Sequence, residues 1–356
     1  MSRFLNAFHK NLLPYTPGEQ PVNIQYIKLN TNESPFPPSP KVLAALNETE
    51  INKLNLYPDP ECGALVKAMA TLYNVKPENI LLGNGSDEIL QYCFYAFCGA
   101  DKKAVFADIT YGFYSVFADL FHIHADIIPL SEDFTLPLAR FQHADGTVFI
   151  ANPNAPTGLA LTKQEIVSIL ETNPNDVVVV DEAYIDFGGE SAVSLIEAYK
   201  NLIVVQTFSK SRSFAGGRLG MCFADKELID DMKKIKYSLN PYNIDRLALV
   251  SGTAAMEDDA YYKKNAHIIA ENRAWLTEQL QNEGFLVLPS KANFVFARHP
   301  KVSGKDLYLK LKARGILVRH FESERICNFN RITIGTKEQL EKLINTVKII
   351  LDEAGE

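Results

Sequence analysis

Between about residues 60 and 240 the chain alternates short, unbroken apolar runs with helical patterns, and no other feature constrains its fold as much. The clearest run is Val177-Val178-Val179-Val180. Consecutive β-branched residues without a polar alternation suit a strand covered on both faces. Similar runs fall at 80–82, 104–107, 147–151, 202–205 and 221–224. Helical patterns at 63–73, 87–97, 112–120, 162–172 and 226–235 separate them. Such alternation predicts an α/β fold, a mostly parallel central sheet covered by helices.

After about residue 240 the texture changes. A long helical stretch, 258–282, stops at Gly284. Short strands are expected at 285–288, 293–297, 316–319 and 331–334, with helices at 305–314 and 337–351. These read as a smaller α+β domain. The expected division is a large domain over 40–245 and a small one over 246–356, completed by a lid segment at 1–39. The proline-rich stretch E-S-P-F-P-P-S-P at 33–40 must be extended or turning.

Composition bears mainly on what the chain is not. A net charge of −7 disfavours a nucleic-acid-binding face, so any anion site must be a local cluster of arginines. The five cysteines form no C-x-x-C pair, and their odd number suits a reducing compartment. The N-terminus offers no unbroken apolar stretch of signal-peptide length, and no run approaches the ~20 residues that span a bilayer. A cytoplasmic protein with no membrane contact and no metal is the expectation.

In open parallel sheets ligands bind beyond the carboxyl ends of the strands. The residues just past each apolar run are therefore informative. They are G-N-G-S-D-E after 82, D-I-T-Y-G after 107, N-P-N-A-P-T-G after 151, D-E-A-Y after 180 and Q-T-F-S-K after 205. Five endings bring glycines, hydroxyls, an aromatic ring, a carboxylate and an amine to one edge. Gly85, Ser86 and Asp87 lie between a strand and a helix, where free N–H groups suit a phosphate, or where Ser86 is a plain N-cap. The stretch matches neither G-x-G-x-x-G nor a P-loop. Asp181 needs a cation or a hydrogen-bond donor if buried; it caps a loop or holds a proton on a ligand nitrogen. Tyr184 offers a phenol nearby. Lys210 ends a buried run between Ser209 and Ser211. It is either a surface lysine or, if desolvated, an amine suited to Schiff-base chemistry. Arg218, eight residues on, wants an anion.

The motifs N-P-N-A-P-T-G (152–158), D-E-A-Y (181–184) and S-K-S-R-S-F-A-G-G-R (209–218) resemble the fold type I aminotransferases that use pyridoxal phosphate. L-N-T-N-E-S-P (29–35), Y-P-D-P (57–60), G-S-D-E (85–88), I-T-Y-G (109–112), S-K-A-N-F (290–294) and R-I-T-I-G-T (331–336) resemble the histidinol-phosphate branch of that family. The resemblance implies that Lys210 carries the coenzyme and that Asp181 partners its ring nitrogen. It gives Tyr184 the ring oxygen and Tyr111 the ring face. By the same resemblance Gly85, Ser86, Asp87, Thr207, Ser209 and Arg218 are expected to form the phosphate cup. Tyr57 resembles a residue reaching the partner's site, which implies a homodimer. Arg331, Arg319 and Tyr15 resemble the substrate-binding set.

One position departs from the family. Where an asparagine usually precedes P-T-G and bonds the ring oxygen, this chain has Ala155. Either Asn154 serves instead through a shifted loop, which is the expectation, or Tyr184 acts with less help and Asn154 shapes the turn. The activity implied is transfer of an amino group between glutamate and 2-oxoglutarate on one side and histidinol phosphate and imidazole acetol phosphate on the other. An aromatic aminotransferase and a phospho-amino-acid decarboxylase share the core motifs. A regulatory coenzyme-binding module and a nicotinamide dehydrogenase fit less well, for want of a DNA-binding segment and of the glycine fingerprint.

Overall fold

The valine run forms a strand, Val178–Asp181, one residue later than expected, so the carboxylate sits inside the ladder rather than beyond it. This is a computed structural model that describes residues 2–21 and 26–355. Asp181 pairs with Ala151 on one side and Val205 on the other. Val178 and Val180 pack into one hydrophobic layer and Val179 into the opposite one. Leu202 and Val204 against Ile203 and Val205 repeat the division in the next strand. Period-2 alternation thus buries both faces.

Seven strands form this sheet, in the order Ile80–Gly83, Gly220–Ala224, Leu202–Thr207, Val178–Asp181, Thr147–Ala151, Ala104–Ala107, Ala125–Ile128. All neighbours are parallel except at Gly220–Ala224, which is antiparallel to both of its partners. This strand brings Gly220 level with Gly83 and Thr207. The edge strand Ala125–Ile128 was not expected from the sequence. It pairs on one side only and leaves Ile127 exposed, so it carries no continuous apolar run.

Among the described residues the second sheet has five strands, in the order Ile27–Leu29, Ile316–His320, Asn330–Thr333, Phe294–Arg298, Leu286–Val287. Its core is closed by Gly304–Ala313, Lys337–Gly355 and the long helix Asp259–Asn282. The N-terminal strand Ile27–Leu29 pairs parallel with Ile316–Val318, so the chain's beginning and end share a sheet. An unexpected helix, Arg246–Glu257, packs on the helices Gly63–Tyr73 and Pro40–Ala45. Its Ala248, Ala254, Ala255 and Met256 join the core of the larger sheet. The expected division at residue 246 therefore falls inside a packed unit, and the packing changes sides at the long helix instead.

Helix ends follow their local chemistry. Thr162 and Glu165 form a reciprocal capping box at the start of Lys163–Thr172. Helix Ser86–Phe97 differs, because its N-cap is Gly85 at φ 81° with no side-chain cap bond. Ser86 is the first helical residue, not the cap.

Candidate active site

The carboxyl ends of the parallel strands open into two cavities of about 170 and 410 Å³ that share Lys210, Tyr111, Tyr184, Thr31 and Ala155 as walls. The smaller is lined by Ser86, Asp87, Asp181, Thr207, Ser209 and Arg218, while the larger is lined by Tyr15, Arg319 and Arg331. A larger cleft of about 640 Å³ lies behind this site, on the far side of Ser211 and Arg212. The Lys210 amine lines the two front cavities and not this cleft.

Lys210 follows the strand end at Thr207, and its Nζ donates to the Thr31 carbonyl at 3.4 Å. The two residues after it are held on the opposite side. Ser211 donates to the Asp186 carboxylate, and Arg212 pairs with Asp259 at 2.7 Å and lies over the Tyr262 ring. The lysine thus stands on a stretch of backbone fixed from behind, with one 3.4 Å bond on its amine.

Asp181 is buried, with Oδ2 accepting from Tyr114 at 3.0 Å and Oδ1 from the Ala183 N–H at 3.3 Å. Burial pushes its carboxyl up to about 6 even against these bonds. The next residue, Glu182, faces away and accepts from Ser191, the Ala192 N–H and Gln206. Burial raises it to about 7.

The anion-binding end is built by close backbone approach. A Cβ at Gly220 would overlap the Gly85 carbonyl and the Ser86 nitrogen, and one at Gly85 would overlap the Arg218 guanidinium. These glycines let the uncapped helix N-terminus, Thr207, Ser209 and Arg218 meet. Asp87 accepts from Tyr111 at 2.6 Å and pairs with Arg218 at 3.2 Å, so its side chain orients the ring and the cation. Thr207 donates to Ser209 Oγ at 3.0 Å.

In the larger cavity Arg331 Nη2 donates to the Asn30 carbonyl at 3.1 Å, while its Nε is buried with no partner. The guanidinium lies over Phe294 and Phe321 and has no carboxylate pair among the described residues. A half-buried cation with no carboxylate beside it wants an anion. Arg319 donates to the Thr16 and Pro17 carbonyls at 3.4 and 3.5 Å, holding the N-terminal segment across the opening. Tyr15 stacks on Phe113 at 4.4 Å, and burial raises its phenol.

Two of the expected residues do not line the cavity around Lys210 of their own chain. Asn154 does not line the cavity around Lys210. Its Oδ1 accepts from Thr110 at 2.8 Å, and its Nδ2 donates to the Ile109 carbonyl and Thr157 Oγ1, each at 3.0 Å. The expectation that it replaces the family asparagine is corrected, because its amide is spent on the turn. Tyr57, expected to reach the partner's site, is 78 % exposed, stacks on Tyr242 at 4.5 Å and is not a wall of the cavity around Lys210 of its own chain.

Three residues with a place around the site went unnoticed in the sequence. Tyr114 reaches Asp181. Asn32 donates to the Tyr184 hydroxyl at 3.0 Å. Arg325 crosses between domains, pairing with Asp108 at 2.7 Å and donating to the Leu130 carbonyl at 2.9 Å beside the larger cavity.

The family model described as aminotransferase class I and II matches residues 24–347. A relative from Brachyspira hyodysenteriae, named histidinol-phosphate aminotransferase, is 49 % identical over 352 residues, 99 % of both chains. The crystal structure of the histidinol-phosphate aminotransferase from Clostridium acetobutylicum superposes with TM-score 0.85 at 25 % identity, over 92 % of this chain and 99 % of that one. The Sinorhizobium meliloti enzyme of the same name, in complex with pyridoxal 5'-phosphate, gives TM-score 0.83 at 23 % identity over 92 % of each chain, a likeness of fold.

Proposed function

The chain belongs to the aminotransferase class I and II family, and from that premise we propose that it is a histidinol-phosphate aminotransferase working with pyridoxal phosphate. It moves an amino group between glutamate and imidazole acetol phosphate, as a step of histidine biosynthesis. The observation that carries this reading is one continuous site. It runs from the Lys210 amine, between Asp181 and an uncapped helix N-terminus, to the unpaired Arg331.

The residues present fit the coenzyme. The small cavity has an amine, a buried carboxylate and, at the glycine-lined end, open N–H groups with Arg218. When bound, pyridoxal phosphate supplies an aldehyde that takes up an amine and a cationic ring that accepts the electron pair left behind by the α-proton. Lys210 would tether it and, once displaced by the substrate amine, would move that proton, first as base and then as acid. Asp181 holds a proton on the ring nitrogen, which favours its own charged form in a buried place. Tyr184 donates to the ring oxygen, and Tyr111 covers the ring. Gly85, Ser86, Asp87, Thr207, Ser209 and Arg218 hold the phosphate, Asp87 through its backbone N–H. Arg331 and Arg319 take the phosphate of one substrate or the distal carboxylate of glutamate, since a guanidinium fork suits both anions. Tyr15 and the segment behind it exclude water.

The molecule works as a homodimer in this reading. Leu43, Leu46, Ile51, Leu54, Leu56 and Tyr57 are exposed, and the helices and loop that carry them form an apolar face suited to a second copy. Tyr57 reaches the partner's phosphate end. No helix among the described residues is long and apolar enough to cross a membrane, and we place the enzyme in the cytoplasm.

The test begins with purified protein and coenzyme. A visible absorption band that borohydride removes and Lys210→Ala lacks is expected. Turnover with glutamate should yield 2-oxoglutarate and favour imidazole acetol phosphate over phenylpyruvate. Carbon dioxide release from a phospho-amino acid without 2-oxoglutarate would sink the assignment.

A further inference from the structure

We infer that Asn32 is the positioning residue for the Tyr184 hydroxyl and takes the place of the asparagine this chain lacks at position 155. This deepens the proposed aminotransferase assignment and rests on it. Asn154 is engaged by Thr110, Ile109 and Thr157, and Ala155 touches Tyr184 only through apolar packing, so among the described residues that loop gives its hydroxyl no hydrogen bond.

The hydrogen-bond accounting fixes directions. Asn32 is 1 % exposed. Its backbone N–H donates to Thr333 Oγ1 at 3.0 Å, and Thr333 gives its single hydroxyl proton to Asn32 Oδ1 at 3.0 Å. That assigns the oxygen side of the amide to Thr333 and the nitrogen side to Tyr184, 3.0 Å away. An amide nitrogen has no lone pair to offer, so the phenol oxygen must accept. The Tyr184 proton is then left for an acceptor in the cavity, and polarisation by the bond it accepts makes it a better donor.

Asn32 is itself held by distant chain. Its carbonyl accepts from Asn293 Nδ2 at 2.9 Å, and Thr333 lies in strand Asn330–Thr333. Tyr184 stands on the loop after strand Val178–Asp181 of the other sheet. The small domain therefore orients a phenol of the large one. The other groups close to this phenol are Lys210, whose Nζ is 5.7 Å from its ring, together with Arg331 and Tyr15. Substitutions at Asn32 and Ala155 alter none of these three residues, while the Thr31 and Asn30 backbone carbonyls, which accept from Lys210 and Arg331, are kept in every variant.

A donor to an oxygen stabilises that oxygen when it is charged. Weakening the donor should raise the pH at which the bound coenzyme's visible band titrates. Asn32 sits at φ 56°, a conformation glycine adopts freely, so Asn32→Gly removes the amide without straining the backbone. We expect its midpoint to rise by about one pH unit, a tenfold change in equilibrium. Asn32→Asp keeps the shape but draws the Tyr184 proton to a carboxylate, and should raise the midpoint at least as far. Adding Ala155→Asn to Asn32→Gly should bring it back down. Coenzyme affinity by fluorescence titration gives a second readout, with weakening in both single variants and recovery in the double. A role confined to folding would lower the melting temperature, leave the midpoint in place and gain nothing from Ala155→Asn. If Asn32→Gly fails to fold, Asn32→Asp against wild type decides. A midpoint unmoved in coenzyme-loaded variants overturns the inference. A wild-type protein with no visible band overturns instead the reading on which it rests.

Discussion

The Tyr114 hydroxyl donates a 3.0 Å hydrogen bond to Oδ2 of Asp181, and both side chains are buried beneath the cavity that Lys210 enters. The phenol is the only side chain among the described residues that bonds this carboxylate. Burial wins over it, since Asp181 is lifted from 3.8 to about 6.

The first expectation is a pH-dependent stability of the coenzyme-free protein. A native carboxyl raised above its unfolded value contributes stability below pH ~4 that is lost as pH rises through ~6. The shift corresponds to at most about 3 kcal/mol. Asp181→Asn should remove this loss, so the variant gains on coenzyme-free wild type between pH 4 and pH 8. Adding coenzyme should restore the wild type at pH 8, because a cationic ring nitrogen partners the carboxylate. Melting curves of both proteins at the two pH values decide, and parallel curves would refute it.

Gly220 is the second test. It lies between Gly83 and Thr207, with no room for a Cβ against Gly85 and Ser86. Gly220→Ala must push the helix N-terminus out of place at a cost of about 1–3 kcal/mol. Coenzyme affinity should fall by about tenfold or more. A fluorescence titration beside a circular dichroism spectrum separates lost binding from lost fold.

Arg331→Ala should raise KM for glutamate and for histidinol phosphate alike, by about 100-fold, the value of a charge-assisted pair. Single-turnover chemistry at saturating substrate should slow far less. Arg331→Lys should recover part of the loss for the phosphate, because an ammonium lacks the fork. An unchanged KM for both substrates would remove Arg331 from the site.

Subunit mixing tests Tyr57. Tyr57→Ala should weaken coenzyme binding in its own homodimer, and Lys210→Ala should be inactive. A hybrid of the two has one intact site. Recovery of about half the wild-type sites in the isolated hybrid, or about a quarter in an equimolar random mixture, by titration of the visible band, supports a shared site. No recovery on mixing would count against it.

Lys210, Asp181 and Arg218 were legible in the sequence because unbroken apolar runs mark strand ends, and polar residues after several such ends converge on one edge. Tyr114 was not, since an aromatic residue in a helical pattern looks like core until a carboxylate is seen beside it. Asn32 depends on Thr333, 301 residues away, and no local pattern reports such a pair. Asn154 misled for a physical reason. A turn asparagine bonding nearby groups and one facing a ligand have the same sequence, and the distant partners Thr110 and the Ile109 carbonyl tell them apart. Helix Arg246–Glu257 escaped because its Ser, Gly, Thr and Ala residues give a weak 3.6-residue pattern, although they pack closely on Gly63–Tyr73.

Ser211 and Arg212 are fastened to Asp186 and Asp259 on the reverse side of the loop that bears Lys210. In the proposed assignment Lys210 would release the coenzyme in each half-cycle and would have to recapture it. With the main chain anchored, the search is confined to the sweep of four methylenes, so the amine remains a near neighbour at high local concentration throughout. Rebinding is then an intramolecular event that dilution of the protein leaves untouched.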